Sequence, residues 1–237
     1  MQLLLGLDDT DTLDSEMGTG KISRKLAGRL ESGFAGLSLV GSVRQQLLLD
    51  ERVPFTTHNS SATLVFDADA PDVDAVVEHA VAYVTDVAAE GSDPGICVAS
   101  ASEVTDAVVS FGLRAKEELV SKTDAYAVAR EEDVFLEEYG GTGDGVIGAL
   151  GAVGLTAAGE DGRFVAFGRI REYGETVSVE ELVGDGIRVV GPDGDALEAG
   201  TVETGGWIRP QLRGGRPTLP VEPVESGADA FRPANLH

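Results

Sequence analysis

One cysteine, Cys97, is all the sulfur chemistry this 237-residue chain offers for cross-linking. An internal disulfide is impossible, and no Cys/His cluster has the spacing of zinc ligands, which argues against a stapled secreted scaffold and against a zinc module. Long apolar runs are missing too. The N-terminal stretch MQLLLGLDD reaches two carboxylates after five apolar residues, far too short for a signal peptide or a membrane span, and it reads as a buried strand. Lysine is scarce: four lysines stand against fourteen arginines. What abounds is acid, with 41 Asp and Glu, 18 Lys and Arg and a net charge of −23. Such a surface repels nucleic acid unless positive residues are concentrated locally. Its Asp/Glu-rich, Lys-poor bias fits a very salty cytoplasm, and high-GC codon usage produces the same pattern. In molar salt the screening length shrinks to roughly 3 Å, so global charge would then say little about partners. The expected setting is a reducing cytoplasm. At 42% hydrophobic, the chain can bury a core as one large domain or two smaller ones.

Patterning predicts a strand at residues 3–7 and a helix at 19–32, with Thr19 as N-cap and Ile22, Leu26 and Leu30 on one face. Strands are expected at 37–43, 61–67 and 96–100, and helices at 71–89 and about 102–119. From Gly140 the sequence GGTGDG runs into VIGALGAVGL, a glycine loop opening an apolar helix, before the strand FVAFGRI. Beyond about residue 184, Gly, Pro, Asp and Glu dominate, consistent with short hairpins and a loosely ordered last fifteen residues.

Chemistry is concentrated in a few segments. Asp8, Asp9 and Asp11 lie within four positions directly after a strand, costly unless solvated or neutralised by a cation. Magnesium suits them, since it takes hard oxygen ligands and is normally held by one or two carboxylates together with nucleotide phosphates. A haloacid-dehalogenase frame fails because Leu13 stands at its fifth position. A Walker A loop fails because Gly20-Lys21 is followed by Ile22. The start of the helix at Thr19, with Lys21 and Arg24 nearby, and the loop Gly140-Gly141-Thr142-Gly143-Asp144-Gly145 each offer backbone N–H groups to phosphate. Asp144 suits a helix cap or a metal contact equally. A polar knot, Thr56-Thr57-His58-Asn59-Ser60-Ser61, precedes a strand. The segment from Trp207 to Arg216, with Arg209 and Arg213, is the densest positive patch, open to RNA, to an anionic substrate or to local carboxylates.

As a set, GLDDTD, Thr19 eight residues after Asp11, VPFTTHNSSATLVF, SDPGI and GGTGDGVIGALGAVG resemble the catalytic part of the TiaS family, archaeal agmatinylcytidine synthetases that modify the anticodon cytidine of an isoleucine tRNA. The resemblance spans roughly residues 1–175. It implies an α+β protein. A discontinuous kinase-like α/β domain, 1–58 with 139–184, would carry an inserted ferredoxin-like domain at 59–138, and a β-rich extension would follow at 185–237. It implies ATP bound with magnesium at Asp8, Asp9 and Asp11, these three acting with Thr19 in catalysis. Lys21 and the loop from Gly140 to Gly145 would hold the nucleotide, and Arg44, His58 and Asn59 the substrate. A γ-phosphate would pass to an acceptor carbonyl oxygen that an amine then displaces. Thr19 matches a threonine that is phosphorylated in that family, although Gly18 replaces the threonine usual before it. The family's OB-fold and zinc ribbon, which grip tRNA, have no counterpart here. The expectation is an ATP- and magnesium-dependent phosphotransferase or ligase acting on an unidentified acceptor, a small molecule or a nucleobase. RNA and a second copy of the chain are left open as partners, and no membrane is expected. A metal-dependent phosphohydrolase and a non-catalytic nucleotide-binding module are the alternatives.

Overall fold

A computed structural model describes residues 1–53, 58–224 and 229–234. The chain begins with β1 (Gln2–Asp8), the expected apolar strand. Leu3, Leu5 and Leu7 point into one hydrophobic cluster and Leu4 into another. Covered on both faces, β1 needs an unbroken apolar run rather than an alternating one. Helix α1 (Thr19–Gly33) follows, burying Ile22, Ser23, Leu26, Ala27 and Leu30 along one stripe. Next come β2 (Leu37–Gln46), β3 (Ser60–Ala68) and α2 (Val73–Val87), whose N-cap Asp72 accepts a hydrogen bond from the Ala75 N–H.

After β4 (Gly95–Ser100), the helix expected at 102–119 forms as α3 (Asp106–Glu117). A capping box of Ser121 and Asp124 then starts a helix the sequence pattern did not predict, α4 (Lys122–Glu131), leading to β5 (Phe135–Glu138). The apolar helix is α5 (Gly145–Ala158). It leads to β6 (Arg163–Ala166), which is shorter than the expected strand through residue 170.

The strands form one mixed sheet in the order β5-β4-β1-β3-β2-β6, continued by a C-terminal layer. That layer comprises β7 (Thr176–Ser178), α6 (Val179–Gly184), β8 (Arg188–Val190), β9 (Thr201–Glu203), β10 (Gln211–Arg213), β11 (Arg216–Pro223) and β12 (Ala230–Pro233). It is more than the expected hairpins: β8 pairs with β11 in parallel and β12 with β9 in parallel. Part of the tail expected to be loose is therefore strand β12, held to β11 at three positions from Val221↔Pro233 to Pro223↔Phe231. A separate apolar cluster, including Phe164, Val179, Leu182 and Val189, fills this layer.

Helices α1 and α2 cover one face of the first half of the sheet, and α3 and α5 the other. β1 pairs antiparallel with β3 and with β4, as in Leu5↔Leu64 and Leu5↔Val98. The segment expected as an insertion, 59–138, thus contributes β3, β4 and β5 to the same sheet that β1 and β2 begin. Among the described residues no helix is long and apolar enough to cross a membrane.

Small residues on α5 let it press against its neighbours. A Cβ on Gly6 of β1 would overlap the Ala149 carbonyl, and one on Gly154 of α5 would overlap the Val108 carbonyl of α3. Gly28 on α1, by contrast, has no neighbouring atom within 4 Å of where a Cβ would stand. Urea unfolding should therefore show Gly154→Ala destabilised by about 1–3 kcal/mol, the usual cost of overpacking. Gly28→Ala should gain roughly 0.5–1 kcal/mol, because a mid-helix glycine is replaced without a clash.

Candidate active site at the end of the first strand

β1 delivers Asp8 to its C-terminal end, opposite Gly95 of β4. Space for the carboxylate comes from α5, where a Cβ on Gly148 would overlap the Asp8 side chain. The next residue, Asp9, takes a left-handed backbone conformation, φ 49°, uncommon for a residue with a side chain and a form of strain that recurs at functional sites. This turn sends the chain through buried Thr10 to Asp11. One oxygen of Asp11, Oδ1, accepts from both the backbone N–H and the hydroxyl of Thr19, each at 2.9 Å. The Thr10 hydroxyl donates in turn to Thr19 Oγ at 3.0 Å.

Thr19 is therefore not the N-cap expected of it. Gly18 takes that position without a side-chain hydrogen bond, and Thr19 is the first helical residue. Its hydroxyl is held by Asp11, whose carboxylate occupies the anion position at the start of α1. A second clamp of the same form stands at the glycine loop. Asp93 accepts from the backbone N–H of Thr142 and, at 3.2 Å, from its hydroxyl, which also donates to Asp144 at 3.0 Å. Positive φ at Gly141 and Gly143 lets the loop close around carboxylates: a Cβ at these positions would overlap Asp93 and Glu138 respectively. Gly140 packs against Pro94, and Gly145 against the Asp93 carbonyl. In this arrangement the loop's exposed N–H at Thr142 serves Asp93 rather than standing open. Asp144 is the N-cap residue of α5, yet its side chain caps nothing.

These elements surround a cavity of about 370 Å³. Asp8, Asp9, Asp11, Thr19 and Asp144 line its acidic end. Leu47, Leu48, Val53, Leu119, Val120 and Ile147 form an apolar wall, and Arg52, His58 and Lys122 supply positive or titratable groups. Of the expected substrate residues, His58 and Asn59 line the cavity, and the Asn59 amide is spent on the Leu48 carbonyl at 2.7 Å. Arg44 lies outside it but donates to the hydroxyl of Ser60, a lining residue, at 2.9 Å. Lys21 is exposed and does not line the cavity. Lys122 lines it instead, bonded to the Thr142 carbonyl and, at 3.4 Å, to Glu138. Thr56 and Thr57 of the polar knot lie outside the described residues.

Charge is concentrated where the chain leaves β1. Burial first, and then the neighbouring charge of Asp9, push the Asp8 carboxyl up to about 8. Asp9 is pushed up to about 6 by burial, then by Asp93 and Asp11. Both carboxylates resist ionising unless a cation joins them. Asp8, Asp9 and Asp11 do not converge as a ligand trio. Among the described residues no group of three or more His, Cys, Asp or Glu is arranged to hold a metal ion, and Asp11 is committed to Thr19. The pair Asp8 and Asp9 fits magnesium, which needs one or two carboxylates when waters and phosphates complete its shell.

Two participants escaped the sequence reading. Asp93 sits in SDPGI, a segment that carried the resemblance but was given no role. Lys122 is one of only four lysines and follows Ser121 in the pattern Ser-x-x-Asp, which marks a helix start.

No protein-family model matches this chain, and neither does any curated protein. Solved structures do match. Apo TiaS, an agmatidine synthetase acting on an isoleucine tRNA, aligns at 23% identity over 65% of this chain and 35% of its own, with a TM-score of 0.55. The complex of TiaS with that tRNA and ATP aligns at 23% identity over 65% of this chain and 36% of its own, TM-score 0.56. The complex of TiaS with the tRNA, AMPCPP and agmatine aligns at 22% identity over the same shares, TM-score 0.54. The chain has a TiaS-like fold. It spans about a third of the length of those structures.

The raised carboxylates link stability to pH. Between the unfolded value near 4 and the folded values, the native chain holds protons on Asp8 and Asp9 that the unfolded chain has released. Their contribution to stability therefore falls as pH rises towards 8. In a metal-free buffer, Asp8→Asn should melt at a higher temperature than the wild type, by a margin that widens from pH 5 to pH 8. Scanning calorimetry across that range reads the difference directly; a margin independent of pH would contradict the assigned shifts.

Proposed function

We propose that the cavity binds ATP with magnesium and transfers the γ-phosphoryl group to an acceptor oxygen. The observation that supports this reading is the union, in one cavity, of an apolar wall, the reluctant carboxylate pair Asp8/Asp9 and a threonine hydroxyl held by a carboxylate. The nucleobase would lie on the Leu47–Leu48 and Leu119–Val120 wall, with the phosphates at the acidic end. Asp8 and Asp9 would hold magnesium, which when bound supplies charge neutralisation for the phosphates. Lys122 and Arg52 would add positive charge there.

Asp11 lies 2.9 Å from Thr19 Oγ, within range to take the hydroxyl proton. If Thr19 accepts the phosphoryl group first, its oxygen bonds the γ-phosphorus as the bond to ADP breaks, ADP leaves with that electron pair, and Asp11 retains the proton. The acceptor oxygen then bonds the phosphorus as the Thr19 O–P bond breaks, and Asp11 returns its proton to the Thr19 oxygen; where the acceptor is a carbonyl, an amine bonds its carbon and phosphate leaves with the C–O electron pair. This sequence follows the resemblance to TiaS, and the TiaS complexes with ATP and with AMPCPP and agmatine lend it support. The acceptor belongs to the small-molecule or nucleobase class.

Incubation with γ-labelled ATP and magnesium should place label on the peptide that starts α1. Asp11→Asn should lose that label while keeping ATP affinity, and Asp8→Asn should lower turnover on the order of 10²-fold. An unlabelled peptide from a chain that still turns over would remove Thr19 from the path. Phosphate release indifferent to every acceptor would identify a phosphohydrolase instead.

A further inference from the structure

A cavity of about 660 Å³ lies in the C-terminal layer, larger than the one at the end of β1 and sharing no lining residue with it. Its floor is apolar, formed by Ile208, Leu219 and Pro220, the first two buried. Arg163 of β6 and Arg209, in the loop between β9 and β10, both line it. Backbone pairing makes them neighbours: the Phe164 N–H donates to the Pro210 carbonyl at 2.8 Å, and Arg163 faces Gln211 in the ladder. Trp207 steadies the second of them, with the guanidinium of Arg209 4.0 Å and that of Arg171 5.0 Å from its ring. The loop that carries Trp207 is itself fixed, since the buried Thr204 hydroxyl donates to the Gly174 carbonyl and accepts from the Gly206 N–H.

In a chain with 41 acidic and 18 basic residues, an arginine without a carboxylate partner is out of keeping with its surroundings. Among the described residues neither Arg163 nor Arg209 forms an ion pair. Arg163 instead has Arg44 directly opposite it in the β2–β6 ladder, and like charges so placed are destabilising. Burial first, and then Arg163 and Arg171, hold Arg209 below its ordinary value, as expected of cations crowded without a counter-ion. Glu175 and Glu203 also line the cavity, beyond ion-pair range of both arginines, and Arg232 on its rim is spent on Glu222 at 2.7 Å.

We propose that this cavity is a second ligand site, which binds a compact organic anion through a carboxylate or phosphate head held by Arg163 and Arg209. Two adjacent guanidiniums offer forked donors that match either head, and the volume lies in the range of pockets that enclose small molecules. The apolar floor takes the body of the ligand. Glu175 and Glu203 decide against a polyanion, because a chain of phosphates crossing the cavity would meet their charge. A molecule with one anionic head and an uncharged or cationic remainder avoids that repulsion. Binding here does not depend on the phosphoryl transfer proposed for the other cavity.

Trp207 is the chain's only tryptophan and lines this cavity, so its fluorescence reports on this site alone. Titration of the full chain, at low salt and without ATP, uses hexanoate and hexyl phosphate, which share a body and differ in the head, with hexylammonium as the charge-reversed control. At least one of the two anions should shift Trp207 emission saturably, and which one does so assigns the head. Hexylammonium should leave the emission unchanged. Arg163→Gln should weaken anion binding at least about tenfold, the usual effect of losing hydrogen bonds to a charged group. Arg163→Lys, which keeps the charge and loses the fork, should fall between Arg163→Gln and the wild type. Arg213→Gln, on the β10–β11 hairpin and outside the cavity, should bind as the wild type does. No saturable response to either anion, equal affinity in Arg163→Gln, or an equal loss in Arg213→Gln would each overturn the proposal. So would an equal response to hexylammonium, or a response to a single-stranded oligonucleotide at lower concentration than to either probe, which would make this a groove for a polyanion.

Discussion

Two adjacent carboxylates at the end of a fully buried strand set the terms for everything around them. Asp8 is wedged between β1 and the small-residue face of α5, where only glycine at 148 leaves room for it. Asp9 follows in a strained left-handed conformation. Neither ionises readily in that setting, because burial and the neighbouring carboxyls both favour the neutral form. The elements that create the problem also make it useful. The sheet fixes the strand end, α5 closes over it, and the loop after Asp9 returns to the first turn of α1.

Two similar clamps flank this centre. Asp11 grips Thr19 and Asp93 grips Thr142, each through one backbone N–H and one hydroxyl. Each clamp places a carboxylate at or beside the start of a helix, α1 or α5, a position that also favours a phosphate oxygen. The chain thus keeps its own anions at the two places where nucleotide phosphates would be welcomed, and the hydroxyls stay oriented by them.

Much of this was legible in the residues. The apolar run of β1 and the i, i+4 stripe of α1 placed these two elements and the acidic loop between them along the chain, because strand burial and helix periodicity are local signals. The start of α1 was misread, since a threonine before an apolar stripe looks like a cap, and only the structure shows its hydroxyl turned to Asp11, eight residues earlier. The glycine loop was read as open to phosphate, whereas its N–H at Thr142 meets Asp93, 49 residues away in sequence. Helix α4 went unpredicted although Ser121 and Asp124 form its capping box, because it buries only Ala125 and Ala129 and so carries little apolar periodicity. That Arg44 and Arg163 face each other could not be read at all, because cross-strand pairing alone joins them.

The central claim is that Asp8 and Asp9 form a cation-dependent nucleotide site. Calorimetric titration of ATP into the chain, with magnesium and again with a chelator, tests it most directly. The account predicts saturable binding only with magnesium, lost in Asp8→Asn while that variant remains folded. Equal affinity with and without the metal, or binding unchanged in Asp8→Asn, would contradict it.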